Sequence, residues 1–157
     1  MPDDPTVQPS DKDKIVTALA FDYGLKSIGC AVGQTLTGSA SPVAVLKARD
    51  GQPDWQAVED VITRWQPTLL LVGLPLNMDG SESEFCLRAR KFARRLQGRY
   101  GLPVKMVDER LSSREAKTRE VRRGAEAHNY RKNPVDDLAA QVILETWLAN
   151  PDYALSP

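Results

Sequence analysis

Thr68 to Gly73 (TLLLVG) is a continuous apolar run, set between Pro67 and the turn-rich loop LPLNMDG. A strand with no polar side must be covered on both faces, the situation of a strand inside an α/β sheet with helices on either side. The rest of the chain must therefore supply neighbouring strands and two covering layers. Ile15 to Asp22 (IVTALAFD) reads as a second buried strand, the Tyr23-Gly24 corner as its exit, and Ile28 to Gln34 as its hairpin partner. Pro42 to Leu46 adds a third strand, and Pro103 to Asp108 (PVKMVD) a last one.

Helical spacing appears between these runs. Trp55, Val58, Val61, Ile62 and Trp65 lie on one stripe that Pro67 ends. Ser81 with Glu84 has capping-box spacing and starts a helix through Phe85, Ala89, Phe92 and Leu96, closed by Gly98 or Gly101. Ser112 with Glu115 caps a further short helix that stops near Gly124, and Gly124 to Lys132 is expected to be mobile. Asn133 as N-cap and Pro134 at the first position open a final helix to about Ala149. The order βββαβαβαα implies a mixed sheet covered by helices. The expected organisation is a loose tail over 1–14, one domain over 15–150, and a C-terminal tail over 151–157.

With 157 residues the chain has room for one domain with a sizeable core. No apolar run approaches the ~20 residues of a membrane span, and the polar start does not resemble a signal peptide, so the expected location is the cytoplasm. Cys30 and Cys86 form no CxxC pair and are read as buried small apolar residues. The formal net charge of zero conceals a polarised distribution: residues 85–132 hold fifteen of the 21 Lys and Arg against five acids. Clustered cations are what a polyanion meets, although a solvated helix surface has the same composition.

Three acids stand where elements end: Asp22 after the first strand, Glu109 after the last, and Asp136 in the opening turn of the final helix. Ligands gather outside the carboxyl ends of strands in α/β sheets, so Asp22 and Glu109 can converge there. Carboxylates suit hard divalent cations, which activate water for phosphodiester hydrolysis without a histidine. The sole histidine, His128, falls in the stretch expected to be mobile. Each acid has a plainer reading: a turn residue for Asp22, a surface partner of Arg110 or Arg114 for Glu109, a helix-dipole acid for Asp136. Asp136 shares a helical stripe with Ala139, Ala140, Ile143 and Trp147, whereas Asp137 lies with Gln141 and Glu145. Asp136 is thus preferred as the ligand.

Four segments carry a resemblance: AFDYGLKSIGCAVG at 20–33, LLVGLPLNMDGS at 70–81, VDERLSSREA at 107–116 and PVDDLAAQVILE at 134–145. Over residues 15–149 the chain resembles the YqgF family, also called RuvX, bacterial RNase H-like proteins described as pre-16S rRNA nucleases or Holliday junction resolvases. The resemblance implies an RNase H-like fold with a five-stranded mixed sheet of order 3-2-1-4-5, Mg²⁺ or Mn²⁺ dependence, and endonucleolytic processing of ribosomal RNA precursors. It carries over Asp22, Glu109 and Asp136 as the acidic triad. Gly73, Leu74, Pro75, Asn77 and Gly80 would border the cleft, with Asn77 on the substrate. Lys26, Arg110 and Lys132 match basic positions near the phosphate path. Asp137 departs from the family's pattern.

The favoured expectation is an endonuclease acting on nucleic acid, with Arg88, Arg95 and Arg99 at helical spacing as a track for the phosphate backbone. A solvated face is the plain alternative for each arginine. The competing classes are a resolvase-like DNase and a non-catalytic RNA- or protein-binding module on the same scaffold. An actin-like ATPase shares the D-x-G turn but needs two lobes. The expected state is a monomer or weak homodimer.

Overall fold

The computed structural model describes residues 15–112 and 138–157. Its elements are β1 (Thr17–Asp22), β2 (Ser27–Gln34), β3 (Ser39–Arg49), β4 (Gln52–Pro53), α1 (Trp55–Trp65), β5 (Leu69–Leu74), α2 (Glu84–Tyr100), β6 (Val104–Asp108) and α3 (Leu138–Ala149). Short 3-10 turns follow β6 (Glu109–Leu111) and α3 (Pro151–Tyr153). The helix expected from Ser112 towards Gly124 and the expected opening of α3 at Asn133 and Pro134 lie outside the described residues.

One sheet runs in the order β4-β3-β2-β1-β5-β6. β1, β2 and β3 form an antiparallel meander, while β5 lies parallel to both β1 and β6. With the two-residue β4 set aside, this is the 3-2-1-4-5 order that the resemblance implied. The sixth strand corrects the expected count of five. β3 extends past Leu46 to Arg49 and doubles back through Asp50 and Gly51, whose φ angles of 49° and 80° both lie in the left-handed region. Asp-Gly is the sequence signal for such a two-residue hairpin, and the turn pairs Ala48 with Pro53.

Strand alternation divides the core between two faces. Leu19, Phe21, Leu70, Val72, Val104 and Met106 pack under α1 and α2, whereas Ala18, Ala20, Ala31, Leu69, Leu71 and Val107 pack under α3. All six residues of β5 are buried, the double-sided cover its composition demanded. β1 and β2 present small residues to α3, Ala18, Ala20, Ala31 and Gly33, so the helix approaches closely there: a Cβ on Gly33 would lie 2.9 Å from Leu144 Cδ2.

Local chemistry accounts for the helix limits. The Asp54 side chain accepts a hydrogen bond from Gln56 N–H and starts α1, and Gln66 turns left-handed ahead of Pro67 to end it. For α2 the N-cap is Ser83, not Ser81, and it accepts from Cys86 N–H. Ser81 is engaged with Asp79 and Asn77 in the preceding loop. Gly101, at φ 65°, closes α2, while Gly98 lies inside it. Cys30 and Cys86 are buried free thiols, as expected.

The residues after α3 are docked. Leu155 and Met106 exchange backbone hydrogen bonds of 2.9 and 2.7 Å, and Arg90 Nη1 donates to Ser156 O at 2.6 Å. This contact blunts the otherwise open edge of β6. Among the described residues no helix is long and apolar enough to cross a membrane.

Leu71 is fully buried beneath α3. Leu71→Ala is expected to cost about 2–5 kcal/mol, seen as a lower urea midpoint with an unchanged denaturant slope.

Candidate active site

Parallel pairing brings the strand ends level. Phe21 lies beside Val72, so the next residue, Asp22, comes level with Gly73, and Gly73 itself pairs with Val107 of β6. Since Ala18 and Ala20 face α3, Asp22 two residues on shares that face, where it is half-buried.

At the end of β6 two adjacent acids part to opposite sides. Asp108 follows Val104 and Met106 towards the α2 face, while Glu109 turns to the α3 face beside Gly73. The Glu109 Oε2 atom stands 3.0 Å from the point a Gly73 Cβ would occupy, and Ile143 Cδ1 of α3 lies 2.5 Å from the same point. Gly73 is thus the floor over which the Glu109 carboxylate reaches towards β1. With neighbouring strands ~4.8 Å apart, Asp22 and Glu109 come to the same edge and face of the sheet, at the carboxyl ends of β1, β5 and β6. The third acid, Asp136, lies outside the described residues, as do Lys132, Asp137 and His128. Among the described residues no group of three or more His, Cys, Asp or Glu surrounds a cation position. Two carboxylates are the part of the site that is described, and oxygen donors are what Mg²⁺ or Mn²⁺ prefers.

The loop after β5 forms one border. Asn77 N–H donates to Ser81 O at 3.0 Å, Asn77 Nδ2 donates to Ser81 Oγ at 2.9 Å, and Gly80 N–H returns to Asn77 O at 2.8 Å with φ 87°. Asp79 Oδ1 accepts from the Ser81 hydroxyl at 2.6 Å and from its N–H at 2.9 Å. Those two bonds, the hydroxyl first, hold the Asp79 carboxyl below its ordinary range, with a smaller contribution from Arg110. Asn77 is exposed at the lip.

Arg110 is a brace. Its Nη2 donates to Asp108 Oδ2 at 2.8 Å, its Nε lies 3.1 and 3.2 Å from the two Asp108 oxygens, and its Nη1 donates to Met78 O at 3.3 Å. The paired carboxylate raises the Arg110 pKa. The residue sequence reasoning passed over is Asp108, whose side chain is only 11 % exposed. It caps the turn that presents Glu109 by accepting from Arg110 N–H at 2.9 Å, and D-x-R after an apolar strand was the available signal.

The remaining basic candidates divide. Lys26 is exposed in the β1–β2 turn beside the end of β1. Arg88 and Arg95 do not join the acids: they lie on α2, on the opposite side of the sheet. Arg88 Nη2 donates to Asp50 O at 2.6 Å, Arg95 Nη1 donates to Gln52 Oε1 at 2.8 Å, and Arg99 lies 4.1 Å above the Trp55 ring.

Helices on both faces of a 3-2-1-4-5 sheet, with acids at its carboxyl ends, define the RNase H-like architecture. The same fold is seen in Thermus thermophilus RuvC in complex with Holliday junction substrate, at a TM-score of 0.53 and 16% identity over 88% of this chain and 98% of that one. The RuvX family model, described as Holliday junction resolvase, matches residues 16–150, and the chain belongs to this family. A Pseudomonas fluorescens protein named "Putative pre-16S rRNA nuclease" is 55% identical over 83% of this chain and 90% of its own length. A Haemophilus influenzae protein of the same name is 49% identical over 88% of this chain and 99% of its own.

Gly73→Ala is expected to push Glu109 and Ile143 apart, destabilising the fold by about 1–3 kcal/mol and lowering activity far more than that loss explains; activity and urea melts on one preparation test this. The depressed Asp79 pKa means that its loop bonds stabilise above the ordinary aspartate range and are lost as pH falls through the lower folded value. Carboxyl NMR should therefore find Asp79 titrating below an exposed aspartate, and Ser81→Ala should bring it back up.

Proposed function

We propose that the chain is a metal-dependent endonuclease that processes ribosomal RNA precursor, maturing the 5′ end of pre-16S rRNA. What supports this reading is Glu109 Oε2 lying against Gly73, which comes level with Asp22 at the carboxyl ends of parallel strands in an RNase H-like fold. The relatives named for pre-16S rRNA nuclease activity point to the substrate, and they match over nearly their whole length.

In this reading Asp22, Glu109 and Asp136 hold Mg²⁺ or Mn²⁺. Asp136 is assigned through the resemblance and through its helical stripe with Ala140, Ile143 and Trp147. Such an ion supplies Lewis acidity at the phosphate and lowers the pKa of a bound water. The chain's part is positional. Gly73 keeps the floor open, the Asp108–Arg110 brace fixes the turn that carries Glu109, and Ile143 walls the site from the α3 side. Asn77 and Lys26 at the rim, together with Lys132, contact the backbone of the substrate, which is read by shape and phosphate more than by base edges. The enzyme works on nucleic acid in the cytoplasm, as a monomer or weak homodimer.

The family's description favours a second substrate, the four-way DNA junction. A cleavage assay on a pre-16S rRNA 5′ segment and a four-way junction, with Mg²⁺ or Mn²⁺, separates the two. Asp22→Asn, Glu109→Gln and Asp136→Asn are each expected to reduce cutting by more than about a hundredfold, beyond the range of outer-shell changes. Binding without cutting, unaffected by the three changes, would establish a scaffold in place of an enzyme.

A further inference from the structure

On the face of the sheet away from the acids, the wall between α2 and the β3–β4 hairpin opens into a cavity of about 110 Å³. Tyr23, Trp55 and Phe92 supply its aromatic wall, and Arg88, Lys91 and Arg95 surround it from α2. The rings form one cluster: Phe92 lies 5.2 Å from Tyr23 and 5.9 Å from Trp55, centroid to centroid. Gly51 makes the arrangement possible, because a side chain there would collide with the Tyr23 hydroxyl.

Its charge is unbalanced. Three cations face one carboxylate, Asp50, whose side chain is 82% exposed and 3.4 Å from Arg88. A surface pair of that kind is weak, and an anion can replace the carboxylate while Arg88 keeps its 2.6 Å bond to Asp50 O. Among the described residues Arg95 bonds the neutral amide of Gln52 and no carboxylate, so its charge is not cancelled there. Lys91 is exposed and has no ion pair among the described residues. The volume is below the ~300–1,000 Å³ of a whole-ligand pocket. It suits one planar ring, with an attached anionic group left at the cationic mouth.

We infer that this cavity binds one nucleotide unit, its base against the edges of the Tyr23 and Trp55 rings, whose faces are taken by Phe85, Phe92 and Arg99, and its phosphate at Arg88, Lys91 and Arg95. Aromatic rings beside a basic track are how single strands are held without sequence preference. Tyr23 directly follows Asp22, so the end of β1 presents the acid to one face and the cavity wall to the other. A strand engaged at the acids would round that end and place a flanking nucleotide in the cavity. This deepens the nuclease reading, and it rests on that reading only in expecting the nucleotide to belong to a strand.

The test is anisotropy binding of a fluorescent single-stranded RNA decamer to the full-length protein in chelator, where nothing is cut, across a range of salt. Lys91→Ala is expected to weaken binding at least threefold and to reduce the salt slope by about 0.7, the value for one lost phosphate contact on a single strand. Arg64→Ala, which removes a cation from the far end of α1, should leave both nearly unchanged. Photocrosslinks from 4-thiouridine in the strand should map to the peptides holding Tyr23 or Trp55. Competition by free uridine 5′-monophosphate would identify a site for the free nucleotide as well, and crosslinking without such competition a site for the strand alone; both support the inference. Equal effects of Lys91→Ala and Arg64→Ala, crosslinks elsewhere, or no binding of either probe would overturn it. Because binding is read in chelator and cutting is read with metal, this inference and the catalytic reading fail independently.

Discussion

The parallel pairing of β5 with β1 on one side and β6 on the other is the constraint on which the rest depends. It sets three carboxyl ends level, so residues distant in sequence arrive at one edge of the sheet with no long loop to carry them. Parallel strands are joined by crossovers, and those crossovers, α1 and α2, cover one face while α3 covers the other. The apolar interior of β5 is the consequence. The alanines and glycines of β1 and β2 let α3 pack closely, and Ile143 comes down onto Gly73, where a side chain would not fit.

Period-two alternation then divides the labour at each strand end. Asp22 and Tyr23 are neighbours, as are Asp108 and Glu109, yet in each pair one residue serves the acid site and the other the opposite face. Tyr23 packs into the aromatic cluster with Phe85 and Phe92. Asp108 takes the Arg110 guanidinium and through it steadies the loop at Met78. A rigid support on one face holds the carboxylates on the other, so the acid that is not a candidate ligand matters to the one that is.

Arginine is used here in three distinct ways. Arg110 is fixed by a largely buried carboxylate, and Arg90 ties Glu82 to the C-terminal backbone. Arg88 and Arg95 lean on the β3–β4 hairpin, Arg88 through Asp50 and Arg95 through the amide of Gln52. Sequence counting sees one basic run in all of these. Only the identity of the neighbouring atoms separates a brace from a binding surface.

Local rules were legible in the sequence because their causes are local. The period of Trp55 to Trp65, its stop before Pro67, the apolar run of β5, a glycine closing α2 and the buried cysteines follow from residues a few positions apart, and the structure selects Gly101 over Gly98. Asp22 and Glu109 were legible as acids at strand ends, since alternation and turn chemistry place them there. Other features depended on contacts across the sheet. Ser83 displaced Ser81 as the α2 cap because Asp79 and Asn77 hold Ser81 in the loop, and the Asp50-Gly51 hairpin extended the sheet because α2 and Tyr23 receive it. The sequence by itself determined β1, β2, β5 and β6, the runs of α1 and α2, and Asp22 and Glu109 as acids at strand ends. The tertiary structure alone decided which acids share a face, that Gly73 lies beneath Glu109, and that the α2 arginines stand on the other side of the sheet, because those relations are set by strand pairing between segments far apart in the chain.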